Sequence, residues 1–544
     1  MKISFLGAAQ MVTGSNYLIT TDTYKILLDC GQFQGGKETE KLNALPFPFS
    51  PSEIDFLILS HAHIDHSGRI PKLAKEGFRG KIICTRATAD LASILLKDSG
   101  HIHEMEAVWE NRKRLRAGLD PVEPLYRVED AENSLQFLNP ILYDQKIDLT
   151  DSISLRFQDA GHILGSSIVE LWIREENQET KLVFSGDLGS KDRPLLRNPS
   201  LIEDADYLIL ESTYGNRLHE EPEKRVFKLM DIISKTIARG GTVIIPSFAV
   251  GRTQELIYEL NKYYDHKEMI QDLLKVPVYV DSPMATSATE IFRKHADCFD
   301  EETRGYILSG DNPLDFHNLR FTKTAEESRL LNASEEPKII ISASGMCEAG
   351  RIKHHLKHHL WKKNSSVIFV GYQAEGTLGR SIKDGAENVK IFGEKIQIRA
   401  EIHSIEGFSG HADQSELLDW LRSFKKPPKK IFIVHGEPDA STHFAHMIRD
   451  TFDIETVVPK LYESFELNEY GVDLSKSIPK IIPGQAGELD ASAQNMLRDL
   501  NVAIDRIHML LSTDLSAKDY QILKNKLIQL EKDVIDLNML LGDK

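Results

Sequence analysis

The residues with the clearest chemistry lie in the short run HAHIDH at positions 61 to 66. Four of its six side chains, those of His61, His63, Asp65 and His66, can bind a metal ion. The run follows the apolar stretch LILS, which predicts a buried strand that ends in a polar loop. Because such a loop can turn alternate side chains toward one point, the spacing predicts that the two leading histidines share one ion. Asp65 and His66 can then reach a neighbouring ion, and imidazole with carboxylate suits zinc and similar first-row metals.

A metal site needs ligands that converge from several parts of the chain, and other predicted strands end in suitable residues. Asp159 and His162 follow the stretch SLRFQ, Asp187 follows KLVF, and His435 follows KKIFIV. A single histidine or aspartate at a strand end is more often a turn or cap residue. Together with the run at 61 to 66, however, these residues predict two adjacent metal sites, with Asp187 placed to bridge them.

The composition limits the kind of protein that holds these residues. The 544 residues include 66 Lys and Arg against 82 Asp and Glu, so the net charge is −16. This charge argues against a generally basic nucleic-acid-binding surface but not against a local basic channel. The four cysteines are widely spaced, form no C-x-x-C pair and fit a reducing compartment. No apolar run approaches the roughly 18 residues that span a bilayer, so we expect a cytoplasmic protein with no membrane partner.

Two kinds of strand pattern predict an α/β chain in which one domain is inserted into another. Residues 1–205 alternate short β-rich runs with turns, and include a charged helical stretch at about 87–118. Residues 206–392 alternate continuous apolar runs, such as GTVIIPSF, with helices, which is typical of a parallel sheet covered on both faces. Residues 393–477 return to the first pattern, so we expect them to complete the first domain.

The C-terminal residues 484–544 follow a Pro- and Gly-rich link and carry a different pattern. Apolar residues recur at spacings of four and three in two stretches, from Leu500 to Leu511 and from Leu523 to Leu541. This heptad-like seam predicts two helices. They are consistent with a helical hairpin packed on its own domain, and equally with an arm that forms a homodimer.

As a set, these motifs give the sequence a resemblance to the metallo-β-lactamase superfamily, and specifically to its β-CASP nucleases. The run at 61 to 66 resembles the second motif of the superfamily, and LILESTYG, SGHAD and VHGE resemble motifs of the β-CASP branch. The similarity covers about residues 1–475 and includes PSFAVGRTQE at 246–255 and SASGMCEAGR at 342–351. The residues that match the other motif positions are Asp29, His162, Asp187, Glu211, His411 and His435.

The resemblance implies an αββα metallo-β-lactamase fold that is interrupted by a β-CASP domain, with the active site in the cleft between them. It also implies two divalent metal ions. Zinc is the usual metal of the family, and manganese or iron remain alternatives by ligand type. The implied ligand sets are His61, His63, His162 and Asp187 for one ion, and Asp65, His66, Asp187 and His435 for the other.

The same resemblance implies hydrolysis of a phosphodiester bond by a hydroxide held between the two metals, which gives a 5′-phosphate and a 3′-hydroxyl. Asp65 would orient the hydroxide, and His411 would give a proton to the leaving oxygen. Glu211 would hold the tautomer of His411 and raise its basicity. Asp29 would lie behind the ligands and fix the orientation of ligand histidines.

The expected substrate is single-stranded RNA, because His435 matches a position that is histidine in the RNA nucleases of the family. The contexts of the histidine motifs resemble the endonuclease subunit of pre-mRNA cleavage and its prokaryotic relatives, so we expect an endonuclease. A 5′–3′ exoribonuclease of the same family is the alternative. A small-molecule metallo-hydrolase is less consistent with the inserted domain, and a non-catalytic RNA-binding subunit is less consistent with the complete set of metal ligands.

Two features are candidates for binding the RNA backbone. The turn Ser344-Gly345-Met346 follows a predicted strand, and its backbone N–H groups would form an anion site. A plain strand-to-helix turn is the alternative. The helical stretch after it, residues 351–363, has five Lys or Arg and no acidic residue, which indicates a phosphate-tracking or a solvated face. Its histidines at i,i+4 spacing are interpreted as surface or RNA-facing residues, and they are His354 with His358 and His355 with His359.

Overall fold

The computed structural model describes residues 1–176, 178–219, 222–265, 276–374, 376–405, 410–468 and 471–474 of the chain. Within these ranges the chain forms three large β-sheets and one two-stranded sheet. The helices predicted for residues 484–544 and the link before them lie outside the described residues. None of the helices within these ranges combines the length and the hydropathy that crossing a bilayer requires.

The strands are short and mostly buried, as the apolar runs of the sequence predict. In chain order they are β1 (Lys2–Phe5), β2 (Tyr17–Thr20), β3 (Lys25–Leu28), β4 (Phe56–Ile58), β5 (Lys81–Thr85), β6 (Leu138–Ile141), β7 (Ile147–Thr150), β8 (Ile153–Asp159), β9 (Ser167–Glu175), β10 (Gln178–Phe184), β11 (Tyr207–Glu211), β12 (Thr242–Pro246), β13 (Val278–Val280), β14 (Leu319–Phe321), β15 (Lys338–Ser342), β16 (Ser366–Phe369), β17 (Asn388–Ile391), β18 (Glu394–Gln397), β19 (Glu401–Ser404), β20 (Lys430–Val434), β21 (Thr456–Val457), β22 (Ser464–Asn468) and β23 (Gly471–Leu474).

The α-helices lie between these strands and range from single turns to a helix of 31 residues. In chain order they are α1 (Lys37–Glu40), α2 (Ile64–Ser67), α3 (Ile70–Lys75), α4 (Arg86–Arg116), α5 (Val128–Ser134), α6 (Pro222–Ala238), α7 (Arg252–Asp265), α8 (Pro283–Lys294), α9 (Glu301–Leu308), α10 (Ala325–Ala333), α11 (Ile352–His359), α12 (Leu378–Lys383), α13 (Gln414–Leu421) and α14 (Pro438–Phe452).

Two of the large sheets face each other and form the first domain, which we call the split domain. One sheet has the order β23-β22-β1-β2-β3-β4-β5-β6, and the other has the order β21-β20-β11-β10-β9-β8-β7. The core between them contains side chains of both sheets, such as Phe5 and Phe184. On the outer faces, α3 and α4 pack on one sheet and α13 and α14 pack on the other. The four layers are therefore αββα, as the family resemblance implies.

The third sheet belongs to the inserted domain and has the order β14-β13-β15-β12-β16-β19. All of its strand pairs are parallel. Alternate residues of β12 face opposite sides, so Val243 packs with α6 and α7 while Ile244 packs with α11 and α12. Continuous apolar strands buried on both faces are what the sequence pattern of this region predicts.

The boundaries of the inserted domain differ from the predicted residues 206–392. Strand β11 pairs with β10 and β20 and so belongs to the split domain, whereas β19 pairs with β16 of the inserted domain. The insertion thus begins after Glu211 and continues through Ser404. The reason is that a five-residue apolar strand has the same pattern in either sheet, so its own residues do not specify its partner.

Helix α4 matches the charged helical stretch predicted for residues 87–118 and links the two domains. Its first half packs on the split domain, and ion pairs join it to the end of α8 in the inserted domain. Oδ2 of Asp90 lies 2.6 Å from Nζ of Lys294 and 2.6 Å from Nε2 of His295.

Candidate metal centre and active site

The predicted ligands lie in loops at one end of the split domain. The run at 61 to 66 follows β4 and enters α2, while His162, Asp187 and His435 follow β8, β10 and β20. These last three strands run in the same direction, because β9 is antiparallel to β8 and β10, and β10, β11 and β20 are parallel. Their carboxyl ends share one edge of the sheet, which brings the ligands together.

The first predicted ligand set converges on one point. Nδ1 of His63 lies 3.1 Å from Nε2 of His61 and 3.2 Å from Nε2 of His162. Oδ2 of Asp187 lies 3.5 Å and 3.7 Å from the Nε2 atoms of His61 and His162. The ligand atoms of a tetrahedral zinc at about 2.1 Å are separated by roughly 3.4 Å. The four side chains therefore have the spacing of a tetrahedral metal site.

The second predicted set lies next to the first and shares an oxygen with it. Nε2 of His66 lies 3.2 Å from Nε2 of His435. Oδ2 of Asp65 lies 3.4 Å from Nε2 of His435 and 3.7 Å from Nε2 of His66. Oδ2 of Asp187 also lies 3.3 Å from Nε2 of His66. One carboxylate oxygen, Oδ2 of Asp187, thus borders both sets.

The donor chemistry of the two sets fits a pair of divalent cations. Asp187 is 2% exposed, and its Oδ1 accepts no hydrogen bond from the described residues. A buried carboxylate oxygen without a donor is costly, and so are imidazole nitrogens that face one another without a proton or a cation between them. Metal ions held by these atoms would satisfy both requirements.

Burial keeps the histidines of the first set neutral, which is the form that binds metal. It lowers the pKa of His63 to about 4, and it lowers the pKa of His61 and of His162 well below the ordinary range. Burial also opposes the charge of Asp187, but nearby histidines, His435 foremost, hold the pKa of this carboxyl well below its usual range.

In the second set, nearby carboxylates outweigh burial in setting the pKa of a histidine. Burial acts to lower the pKa of His66, but the carboxylates of Asp187, Asp65 and Asp29 raise it well above the ordinary value. Three carboxylates around one imidazole create a place for positive charge. A bound metal ion would take the place of the proton there.

Asp29 lies behind the ligands and is fully buried. Its Oδ2 lies 2.7 Å from Nδ1 of His66, and it also accepts hydrogen bonds from the hydroxyls of Ser15 and Ser60 at 3.0 and 2.9 Å. Because Nδ1 faces this carboxylate, Nε2 of His66 faces the second ligand set. Asp29 thus holds the orientation of the His66 ring through its hydrogen bond to Nδ1.

Two orienting contacts were not predicted from the sequence. Oγ1 of Thr213 lies 3.0 Å from Nδ1 of His435, and the carbonyl oxygen of Gly410 lies 3.0 Å from Nδ1 of His162. Each contact directs the opposite ring nitrogen, Nε2, toward the metal centre. The signal for Thr213 was its position two residues after Glu211 in the stretch LILESTYG. A backbone carbonyl such as that of Gly410 gives no signal in a sequence.

Arg193 is a third missed residue, and it joins the two domains beside the centre. One amino group of its guanidinium donates to the carbonyl oxygens of Gly410 and His162 at 2.6 and 2.8 Å. The other pairs with the buried carboxylate of Glu255 on α7 of the inserted domain. The same carboxylate pairs with Arg252. Glu255 lies in the stretch PSFAVGRTQE, so resemblance to the family was the available signal.

His411 and Glu211 form a pair at the edge of the metal centre. Nδ1 of His411 lies 3.1 and 3.2 Å from the two carboxylate oxygens of Glu211, and 3.9 Å from Oδ2 of Asp187. The backbone N–H of Leu188 donates to Oε1 of Glu211 at 2.6 Å and so fixes this buried carboxylate. Burial acts against a charged imidazole, but Glu211 and then Asp187 raise the pKa of His411 above its ordinary value.

The turn Ser344-Gly345-Met346 follows β15 in the inserted domain. The N–H groups of Gly345 and Met346 donate to no acceptor within the described ranges. The carbonyl oxygen of Gly345 accepts a hydrogen bond from Gln373 at 3.0 Å. The neighbouring Tyr372 donates to Glu437, two residues after His435, at 2.6 Å. These contacts place the turn on the side of the inserted domain that faces the metal centre.

Helix α11 differs from the predicted phosphate-tracking face. Three basic side chains of the stretch 351–363, which contains α11, pair with carboxylates, since Arg351 lies 2.6 Å from Asp281, Lys357 lies 2.6 Å from Glu394, and Lys362 lies 3.1 Å from Glu335. The histidine interpretation is wrong for one i,i+4 pair, because His355 and His359 are fully buried. Helical spacing alone could not show which of the two histidine stripes faces the core.

Models of three known domain families match the chain. The metallo-beta-lactamase superfamily domain matches residues 18–206, the Beta-Casp domain matches residues 253–382, and the Zn-dependent metallo-hydrolase RNA specificity domain matches residues 395–459. The matches fall in the order that an inserted domain requires, with the split domain on both sides of the second one.

Curated relatives match over most of the chain. A ribonuclease of Thermus thermophilus is 39% identical over 439 residues, which are 81% of this chain and 94% of the relative. The transcription termination factor FttA of Methanocaldococcus jannaschii is 35% identical over 84% of this chain and 70% of its own. An RNase J-like protein of the same organism is 34% identical over 84% of this chain and 97% of its own.

Proposed function

This chain belongs to the β-CASP ribonucleases of the metallo-β-lactamase superfamily, and from that membership we propose that it is an endonuclease for single-stranded RNA that leaves a 5′-phosphate and a 3′-hydroxyl. One observation carries the proposal. Oδ2 of Asp187 lies 3.3 to 3.7 Å from ligand atoms of both histidine sets. Two-metal phosphodiesterases hold their cations about 3.5–4 Å apart to clamp an in-line displacement, and a shared carboxylate suits that spacing.

The donor atoms would divide between two zinc ions as the family resemblance implies. Bound zinc would supply Lewis acidity at the phosphate and lower the pKa of water toward about 7. The ligand sets that we propose are His61, His63, His162 and Asp187 for one ion, and Asp65, His66, Asp187 and His435 for the other.

Within this centre, Asp65 has a second role that its exposure supports. It is 19% exposed, whereas Asp187 is 2% exposed, so its carboxylate borders the space that water and substrate can enter. A carboxylate at this position accepts a hydrogen bond from the attacking water and directs a lone pair toward the phosphorus.

The proton for the leaving 3′ oxygen comes from His411. Because Glu211 holds Nδ1 and raises the pKa of the imidazole, a proton is retained on the ring for delivery from Nε2. The carboxylate of Glu211 is itself fixed by the N–H of Leu188, so the acid is oriented before substrate arrives.

The phosphate next to the scissile bond binds at the turn Ser344-Gly345-Met346. The N–H groups of Gly345 and Met346 are the donors, and an anion there would accept from both. The paired basic residues of the stretch 351–363 favour this local site over a long electrostatic track, which agrees with the net charge of −16.

A circular single-stranded RNA distinguishes the proposed endonuclease from an exonuclease. We expect the zinc-loaded protein to linearise the circle and then to produce shorter fragments with a 5′-phosphate, and the Asp187→Asn variant to leave it intact. A linear 5′-labelled RNA that is degraded while the circle survives would identify the exonuclease instead. If neither RNA is cut while a thioester or lactone is hydrolysed, the small-molecule hydrolase would be the correct assignment.

A further inference from the structure

A rigid loop beside the metal centre presents one exposed aromatic ring. Phe248 lies between β12 and α7 and is 40% exposed, whereas Ser247 before it and Val250 after it are buried. The carbonyl oxygen of Phe248 accepts hydrogen bonds from the N–H and the hydroxyl of Thr253 at 3.3 and 2.7 Å. The backbone is thus fixed while the ring remains in contact with solvent.

The ring of Phe248 lies against the turn that we assign to phosphate binding. A Cβ atom on Gly345 would lie 2.9 to 3.2 Å from three carbons of this ring, which is closer than real side chains approach. The absence of a side chain at Gly345 therefore provides the room that the ring occupies. As a result, the aromatic ring packs against Gly345 in the turn that carries the N–H groups of Gly345 and Met346.

The same loop also contacts the residue that follows the candidate ligand His162. A Cβ atom on Gly251 would lie 3.0 Å from Cγ2 of Ile163, and Ile163 follows the ligand His162. Three residues of chain span at most about 10 Å, so the backbone of Phe248 lies within that distance of the contact. This separation is on the scale of one to two nucleotides.

The position of the loop in the sheet also favours a ligand site. Phe248 follows β12, and the Ser344-Gly345-Met346 turn follows the adjacent strand β15. After β12 the chain forms β13, β14 and β15 on one side of β12 in the sheet, and it then forms β16 on the other side. The direction in which strands are added therefore reverses next to β12. Crevices at such switch points, beyond the carboxyl ends of parallel strands, are where open α/β sheets bind ligands.

We propose that Phe248 is a stacking platform for one unpaired base of the RNA, in the nucleotide whose phosphate binds the N–H groups of Gly345 and Met346. This inference rests on the proposed function, since it names a base subsite within the same cleft. Stacking on an aromatic ring accepts every base, because each base has a π-face. The subsite therefore adds affinity for single strands without reading sequence.

The test compares aromatic with aliphatic side chains at this position. Binding of a fluorescent single-stranded 12-mer is measured by anisotropy in a His411→Ala background, so that the RNA stays intact. We expect Phe248→Leu and Phe248→Ala to raise Kd by about 10- to 100-fold and Phe248→Trp to stay within about threefold of the parent. Phe227→Ala is the matched control, because Phe227 is 72% exposed on α6, and Kd should not change.

A single abasic nucleotide, moved along the 12-mer, locates the stacked base. One position should weaken binding to the parent, and the same position should cost nothing further in Phe248→Leu. Equal binding by the Leu variant, or an abasic penalty that persists in it, would overturn the subsite. Cleavage of RNA by the wild type is scored separately, so a loss of the proposed function and a loss of the subsite give different results.

Discussion

Each domain buries a cluster of aspartate and histidine at the carboxyl ends of its strands, and the two clusters differ in completeness. In the inserted domain, Asp281 follows β13 and is fully buried, and the chain supplies two donors to each of its oxygens. The donors to Asp281 are Arg351, Thr322, Ser328 and His355. In the split domain, by contrast, Oδ1 of Asp187 accepts no hydrogen bond from the described residues.

The difference separates a structural network from a binding site. Although burial opposes the charge of Asp281, the hydrogen bonds, with that of His355 first, hold the pKa of this carboxyl well below its usual range. Such a network is complete without a ligand and fixes the loops that carry it. The cluster at Asp187 has the same residue types but leaves a buried carboxylate oxygen without a donor, and it is the one that we propose a cation completes.

We expect the largest effect from a substitution in the incomplete cluster around Asp187. Replacing Asp187 with Asn removes the shared anionic oxygen, so we expect kcat on single-stranded RNA to fall by about 10⁴-fold, or about 5.5 kcal/mol of barrier. Zinc content measured by mass spectrometry should fall below two equivalents. Activity within tenfold of wild type would show that Asp187 is not a shared ligand.

Breaking the complete cluster should act on stability instead. In Asp281→Asn, the half-buried guanidinium of Arg351 and the buried imidazole of His355 lose their anionic partner, and we expect the free energy of unfolding to fall by about 3 kcal/mol. Urea denaturation measures the loss, and bound zinc per folded molecule should stay at the wild-type value. Loss of zinc with unchanged stability would reverse the roles that we assign to the two clusters.

Glu211→Gln tests the acid beside the metal centre. We expect kcat to fall by about 10²-fold, because His411 loses the carboxylate that orients it and holds its proton. Zinc content serves as the control and should be unchanged. The double variant with His411→Ala should be no slower than His411→Ala alone, and a further 10²-fold loss would show that the two residues act independently.

Asp29→Asn sharpens the comparison at the outer layer of the metal centre. The variant keeps the size of the side chain but weakens its hold on Nδ1 of His66, so we expect zinc affinity to fall about 10- to 100-fold. Competition with a chelator measures this change. Zinc affinity equal to that of wild type would mean that Asp29 supports the fold and not the metal.

The smallest expected effect concerns the pH dependence of stability and His359, one turn after His355. Burial, followed by nearby Lys362, His355 and Lys338, lowers the pKa of His359 to about 3. The unfolded chain therefore binds a proton below about pH 6.5 that the fold does not, and stability falls as pH falls toward 3. We expect His359→Leu to remove about 1 kcal/mol of the loss between pH 7 and pH 5.5.

Unfolding by urea at the two pH values, in parallel for wild type and His359→Leu, measures this difference. An equal loss of stability in both proteins would show that His359 is protonated in the fold.

Local chemistry was predictable from the sequence where the ligands are neighbours in the chain. The spacing of His61, His63, Asp65 and His66 largely determines their relative positions, since one short segment from the end of β4 into α2 carries all four. The distant residues His162, Asp187 and His435 were predicted from their places after strands. Their division into two ligand sets came from the family resemblance, because no residue near them in the sequence shows which of them lie side by side.

Other features depend on partners that no short pattern contains. Strand β11 pairs within the split domain and β19 within the inserted domain, and neither pairing could be predicted, since their apolar residues fit either sheet. Arg193 was missed because its role arises from contacts with His162, Gly410 and Glu255, which lie far apart in the sequence. His355 was expected near the surface because its partner, Asp281, lies 74 residues away.

Three side-chain contacts join the two domains, namely Asp90 with Lys294, Arg193 with Glu255, and Tyr372 with Glu437. Opening the cleft would break a buried ion pair, which costs several kcal/mol. We therefore expect a single strand of RNA to thread into the cleft while the two domains stay in contact, and not to enter through separation of the domains. A hairpin must then melt before it is cut. The cleavage rate on folded RNA should therefore follow the thermal opening of its base pairs and not its sequence.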